Sequence, residues 1–233
     1  VLHQAAIIPR DVSCRIDCND RMFVEIETSA IDRRRIAKNK LTKEISKVCG
    51  RNFAPPMLSV AKDCCRLQMT EKPTYRVQYG VAQHVCNHAK LCGDSYNCFT
   101  DGTGKFVAII SDGMGTGGRA AVDGAMTANM LGNLIKAGLS FDCALKIVNA
   151  AMQVKSGQES LATLDVAALD LFSGNLSLRK AGAPVSFVKR GRGVERLDAV
   201  SVPIGILDQA EFANANSKLQ ENDWLILVSD GVL

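Results

Sequence analysis

No uninterrupted apolar run in this 233-residue sequence approaches the roughly 18–20 residues needed to span a bilayer as a helix. Its start, VLHQAAIIPRD, lacks the basic stretch and long apolar run of a secretory signal. The nine cysteines have no disulfide-framework spacing, and nine is an odd count. Reduced thiols and a cytoplasmic setting are the expectation. Aromatic residues make up only 5% of the chain, with a single tryptophan, so base-stacking platforms are scarce. The net charge of +4 is concentrated most densely in Asp32-Arg33-Arg34-Arg35-Ile36-Ala37-Lys38-Asn39-Lys40. That run is short and reads as the solvated side of a helix, so no nucleic-acid partner is expected.

What is present fits a globular protein with a sizeable core. Hydrophobic residues reach 47%, charged residues 22%, and the mean hydropathy is +0.04. Met22 to Ile26 reads as a strand, and Ser29 to Val48 as a helix with Ser29 as N-cap and Gly50 as its stop. Pro55-Pro56 breaks the chain; Leu58 to Met69 and Thr74 to Ala82 then look extended, with Tyr75, Val77 and Tyr79 alternating. A boundary near Pro73 divides residues 1–72 from 73–233. Asp101-Gly102-Thr103-Gly104 closes a hairpin between Asn97 to Thr100 and Phe106 to Ile110. Two helices follow, Gly118 to Ala137 and Phe141 to Val154, with Met126, Met130, Leu134 and Ile135 as an apolar stripe. From Leu164 onward strands return: Val166 to Phe172, Leu176 to Lys180, Val185 to Lys189, Phe212 to Leu219 and Trp224 to Val228. Strands, then helices, then strands make the class α+β.

The strongest chemical signal is an internal echo. Phe106-Val107-Ala108-Ile109-Ile110-Ser111-Asp112-Gly113 and Trp224-Leu225-Ile226-Leu227-Val228-Ser229-Asp230-Gly231 are both apolar strands ending in Ser-Asp-Gly. Each strand delivers an aspartate to its end, and the glycine lets the backbone turn and bring a carbonyl close. A third acid, Asp94, starts the strand paired with Phe106 to Ile110. Three converging carboxylates repel unless a cation neutralises them, and all-oxygen donors suit magnesium or manganese. Two such ions would lower the pKa of a water and hold a phosphate for in-line attack. The alternative is that each Ser-Asp-Gly is only a strand-end turn. Gly113-Met114-Gly115-Thr116-Gly117-Gly118 also fits a dinucleotide fingerprint, but a second helix follows where that unit needs a strand.

At these residues the sequence resembles the metal-dependent (PPM-type) serine/threonine phosphatases, and within them the stage II sporulation protein E group. The likeness covers about Tyr75 to Leu233 through Cys92-Gly93-Asp94-Ser95-Tyr96, Ser111 to Gly117, Ala162-Thr163-Leu164-Asp165, Ala181-Gly182-Ala183-Pro184, Phe187 to Gly191, and Val228-Ser229-Asp230-Gly231-Val232. The resemblance implies an αββα sandwich of two antiparallel sheets flanked by helix pairs. It implies two Mn2+ or Mg2+ ions, with Asp94 on one, Asp112 bridging both, the Gly113 carbonyl on the first and Asp230 on the second. The implied partner is a phosphorylated anti-anti-sigma factor whose phosphoserine is hydrolysed in sporulation sigma-factor control. By the same resemblance, residues 1–72 are part of a regulatory segment assisting homodimerisation, and the helices between Gly118 and Val154 couple regulation to metal binding.

Two departures qualify that expectation. Met114 stands where eukaryotic relatives carry a histidine, so protonation of the leaving serine falls to water. The family's last metal-binding aspartate lies beyond Asp230, while this sequence begins at Val1 and stops at Leu233. A fragment without the final strand, helix and one ligand is expected, weakly active or inactive alone, with membrane anchoring left to the parent. The competing expectation is a regulatory module that docks the phosphoprotein without turnover. His84, Cys86 and His88, with Cys92 beyond, have strand spacing for a zinc site but read first as a partly exposed strand face. Cys14 and Cys18, and the Cys64-Cys65 pair, read as buried thiols.

Overall fold

The computed structural model describes all residues except 6, 30–35, 62–63, 86–90, 116, 156–159, 208–211 and 233. The chain forms two compact units, Val1–Pro73 and Thr74–Leu233.

In the first unit, β1 (Pro9–Ile16), β2 (Met22–Ser29), β3 (Met57–Val60) and β4 (Cys64–Thr70) make one antiparallel sheet in the order β1-β2-β4-β3. Alternation along β2 and β4 puts Val24 and Ile26 beside Cys65, Leu67 and Met69, all buried. Leu41 and Ile45, one turn apart on α1 (Lys38–Cys49), complete that core with Phe53. The helix stops at Gly50 as its sequence indicates. Its start does not fall at Ser29: Ser29 pairs with Cys64 as the last residue of β2, because ladder bonds to β4 continue to that point. Leu58 to Met69 is a β3–β4 hairpin rather than one extended piece. Within the basic run, Lys38 and Lys40 are exposed on α1, and residues 32–35 lie outside the described residues. Cys65 is buried and Cys64 half-buried, but Cys14, on the largely solvent-exposed edge strand β1, and Cys18, in the turn after it, are exposed.

The second unit has two antiparallel sheets. β5 (Asp94–Thr100), β6 (Lys105–Asp112), β7 (Leu164–Asp170), β8 (Asn175–Ala181) and β11 (Ala213–Lys218) form the larger, in the order β11-β8-β7-β6-β5. β9 (Ser186–Arg190), β10 (Gly193–Leu197) and β12 (Trp224–Ile226) form the smaller, in the order β10-β9-β12. The expected β5–β6 hairpin is present, from Asp94 opposite Asp112 to Thr100 opposite Phe106. The run from Thr74 to Ala82 forms no strand; Tyr75 donates its N–H to the Leu171 carbonyl at 2.8 Å, and the Tyr79 ring packs on Phe106 at 5.6 Å.

Each face of the large sheet has its own apolar partner. Val107 and Ile109 of β6, with Leu164 and Val166 of β7, face α2 (Gly118–Lys136) and α3 (Phe141–Lys155), which bring Leu131, Ile135, Leu145, Val148 and Met152. The buried stripe of α2 runs through Ala120, Gly124, Ala128, Leu131 and Ile135; Met126, Met130 and Leu134 flank it, only partly buried. The stripe thus lies about one residue away from the one its methionines suggest, because glycine and alanine let the helix come close. On the opposite face Ala167, Leu176 and Leu178 meet Val188 and Leu197 of the small sheet. The class is α+β with antiparallel sheets, as expected. One helix pair, α2 and α3, is present among the described residues. None of the described helices is long and apolar enough to cross a membrane.

Candidate metal centre

Asp94 opens β5, Asp112 ends β6, and the two are direct register partners. Directly opposed residues on one sheet face have Cβ atoms about 4.5–5.5 Å apart, so their carboxylates are forced together. The third acid comes from the other sheet. Beyond β12, the Ser229 hydroxyl donates to Asp94 Oδ2 at 2.9 Å, and Asp230 begins a short 3₁₀ turn, Asp230–Val232. Burial first, then the charges of Asp94 and Asp230 and hydrogen bonds with both, push the Asp112 carboxyl up to about 6. Each of these influences raises it.

Gly93 shapes the space beside these oxygens. A Cβ there would lie 2.8 Å from Asp112 Oδ1 and 3.2 Å from the Gly113 carbonyl oxygen, so both oxygens open onto one spot that only a glycine leaves free. An all-oxygen, anionic donor set with a backbone carbonyl is what a hard divalent cation takes. Among the described residues no three His, Cys, Asp or Glu side chains are gathered into a ready-made cation cage. The aspartates are close, coupled neighbours rather than a closed shell.

The glycine of the first Ser-Asp-Gly serves close packing rather than a turn. A Cβ on Gly113 would sit 1.9 Å from the Ala120 carbonyl oxygen, while one on Gly231 would meet nothing within 4 Å. Gly124 likewise lets α2 rest on the loops of Gly93 and Gly113. The loop after Asp112 is no dinucleotide unit: β6 is antiparallel to both its neighbours, whereas that unit needs parallel strands. Cys86 and His88 lie outside the described residues. His84 is on no strand, and Cys92 Sγ is 3.8 Å from its carbonyl oxygen.

Two supporting features are absent from the carboxylate pattern. Thr163 brackets Asp112, donating its N–H to the Asp112 carbonyl at 2.7 Å and accepting the Asp112 N–H on Oγ1 at 3.2 Å. Behind it, Lys180 on β8 is fully buried and bonds Asp165 Oδ2 at 2.6 Å, the Pro184 carbonyl at 2.6 Å and Ser186 Oγ at 2.7 Å. Burial pushes the Asp165 carboxyl up, against the pull of Lys180 and Ser186. A signal for this cluster exists in the sequence: Asp165 and Lys180 occupy the same alternation phase as the inward-facing Ala167 and Leu178.

A family model described as stage II sporulation protein E matches residues 102–233. Two proteins of that name are each 33% identical to the chain. The one from Priestia megaterium matches over 168 residues, 72% of this chain and 29% of its own length; the one from Bacillus subtilis (strain 168) matches over 159, 68% and 19%. The chain therefore spans less than a third of either relative. The solved structure of the PP2C phosphatase domain with a fragment of the regulatory domain of the Bacillus subtilis cell fate determinant SpoIIE is 25% identical. It covers 97% of this chain and 67% of its own, with a TM-score of 0.72. Since the matched stretch takes in Asp112, Gly113 and Asp230 and more than half of the residues, the chain belongs to the stage II sporulation protein E family.

Proposed function

We propose that residues 74–233 are the core of a metal-dependent protein serine/threonine phosphatase acting on phosphoserine of a small regulatory protein, an anti-anti-sigma factor, in sporulation sigma-factor control. The observation that carries this reading is the meeting of Asp94, Asp112 and Asp230, in a chain of this family. Asp94, Asp112, the Gly113 carbonyl and Asp230 would hold two Mn2+ or Mg2+ ions. When bound, such ions supply positive charge for phosphate oxygens and lower the pKa of an attacking water.

The chain's own residues hold and orient. The β5–β6 register sets Asp94 against Asp112, Ser229 fixes one oxygen of Asp94, and Thr163 fixes the backbone of Asp112. Met114, exposed beside the site, has no proton to give, so the leaving serine oxygen takes its proton from water. Residues 1–73 would be the neighbouring part of a regulatory segment assisting homodimerisation.

Phosphate release from a phosphoserine protein, with and without manganese, tests the reading on the 233-residue chain and on a chain extended to the length of its relatives. Metal-dependent release by the extended chain, abolished by Asp112→Asn, is the expected result. No release by either, with the phosphoprotein still bound, would replace the enzyme with a docking module.

A further inference from the structure

Lys180 is completely buried, and its three ammonium hydrogens are all used, on Asp165, Pro184 and Ser186. Ser186 in turn donates to the same Asp165 oxygen at 2.6 Å. Taking an ammonium and a carboxylate out of water is costly, and apolar residues of similar size in their place often leave a protein as stable or more so. Asp165 Oδ1 is buried without a hydrogen-bond partner, a further cost. A cluster so arranged adds little stability; what it supplies is a fixed geometry.

That geometry leads to the carboxylates. Asp165 is the second residue of β7, and Thr163 stands immediately before the strand, two residues away along the same backbone. The segment 161–165 holds the end of β6 and the first residues after it: Ser111 Oγ donates to the Thr163 carbonyl at 2.9 Å, Thr163 brackets Asp112, and Met114 N–H donates to the Leu161 carbonyl at 2.9 Å. On the other side the segment is tied to β8 and β9 by Lys180, which also holds the turn at Pro184, while Leu164 bridges Gly182. We propose that Lys180 is a positioning residue for Asp112. Anchored by Asp165 and Ser186 between the sheets, it fixes the β7 segment from which the Asp112 loop hangs. The inference rests on reading Asp112 as a cation ligand.

The test uses the 233-residue chain and the double variant Asp165→Leu/Lys180→Met, which removes both charges together. Three quantities are read: the urea midpoint, amide exchange at Asp112 and Thr163, and affinity for Mn2+ alone. The expected result is a midpoint equal to or above the parent's, exchange at Thr163 about tenfold faster, and Mn2+ affinity about tenfold weaker, as for outer-shell residues of metal sites. Unchanged exchange and unchanged Mn2+ affinity in a folded variant would overturn the proposal. So would a fall in midpoint with exchange accelerated throughout the unit, which would make the cluster a general structural support. Should the double variant fail to fold, Ser186→Ala decides, since it leaves both charges in place: faster exchange confined to Thr163 and Asp112 supports the proposal, and parental exchange overturns it. If the parent binds no Mn2+, the cation reading fails and the exchange measurement alone judges the positioning role.

Discussion

Alanine in place of Gly124 is expected to lift the start of α2 off the carboxylate loops. An ideal Cβ at this position would lie 2.3 Å from the Gly93 carbonyl oxygen, 3.1 Å from Gly113 N and 3.2 Å from the Ser111 carbonyl oxygen. Carbon and carbonyl oxygen in contact ordinarily sit about 3.3–3.6 Å apart, so the first distance is short by about 1 Å. All three atoms are backbone and cannot rotate away. Overpacking of this kind costs about 1–3 kcal/mol, and the helix preference of alanine over glycine returns about 0.5–1 kcal/mol. The net loss is on the order of 1–2 kcal/mol, a fall of about 2–8 °C in the melting midpoint for a unit of this size. Gly132→Ala is the internal control. Its Cβ would meet Asn97 Nδ2 at 2.6 Å, the far end of a side chain that can turn aside, so stability within about 0.5 kcal/mol of the parent is expected. Thermal and urea melts of both variants make the comparison. A Gly124→Ala protein melting at or above the parent, or equal losses in both variants, would refute the close approach of α2 to the site.

Two further expectations concern the same loops. Gly113→Ala, whose Cβ would fall 1.9 Å from the Ala120 carbonyl oxygen, should cost at least the upper end of that ~1–3 kcal/mol, whereas Gly231→Ala should be neutral within about 0.5 kcal/mol; urea midpoints of the pair check this. The raised Asp112 carboxyl fixes the sign of a pH effect. Its proton is held more tightly in the folded than in the unfolded chain, so its contribution is fully present below the ordinary value of 3.8 and is lost as pH rises through about 6. The metal-free parent should therefore lose stability relative to Asp112→Asn between pH 4 and 7, and a difference that stays flat or grows in the parent's favour would contradict it.

Much of the second unit was legible because its signals are local. The β5–β6 hairpin announces itself through Asp101 to Gly104, and α2 and α3 through helical periodicity joined by a two-residue connection. β1 and β10 were not legible: both lie at sheet edges, with β10 exposed at four of its five residues and β1 at most of its eight, so neither carries an apolar alternation to read. The stretch at Tyr75, Val77 and Tyr79 has the alternation but no ladder partner, since Tyr75 is taken up by Leu171 and Tyr79 by Phe106. At the site, the aspartates stand out because strand, serine, aspartate and glycine recur twice. The echo is less exact in three dimensions, as β12 ends at Ile226, three residues before Ser229. Lys180 stayed hidden because a lysine on a strand ordinarily faces water; only the burial of its neighbours in phase turns it inward.

The central claim is that Asp94, Asp112 and Asp230 together hold divalent cations. Titration of the metal-free chain with Mn2+ at pH 7.5, followed by calorimetry and by the loss of the free-ion resonance signal, tests it most directly. Saturable binding by the parent, accompanied by a rise in melting temperature, with both lost in Asp112→Asn, is the predicted result. Equal Mn2+ uptake by parent and variant, or none by the parent, would contradict it.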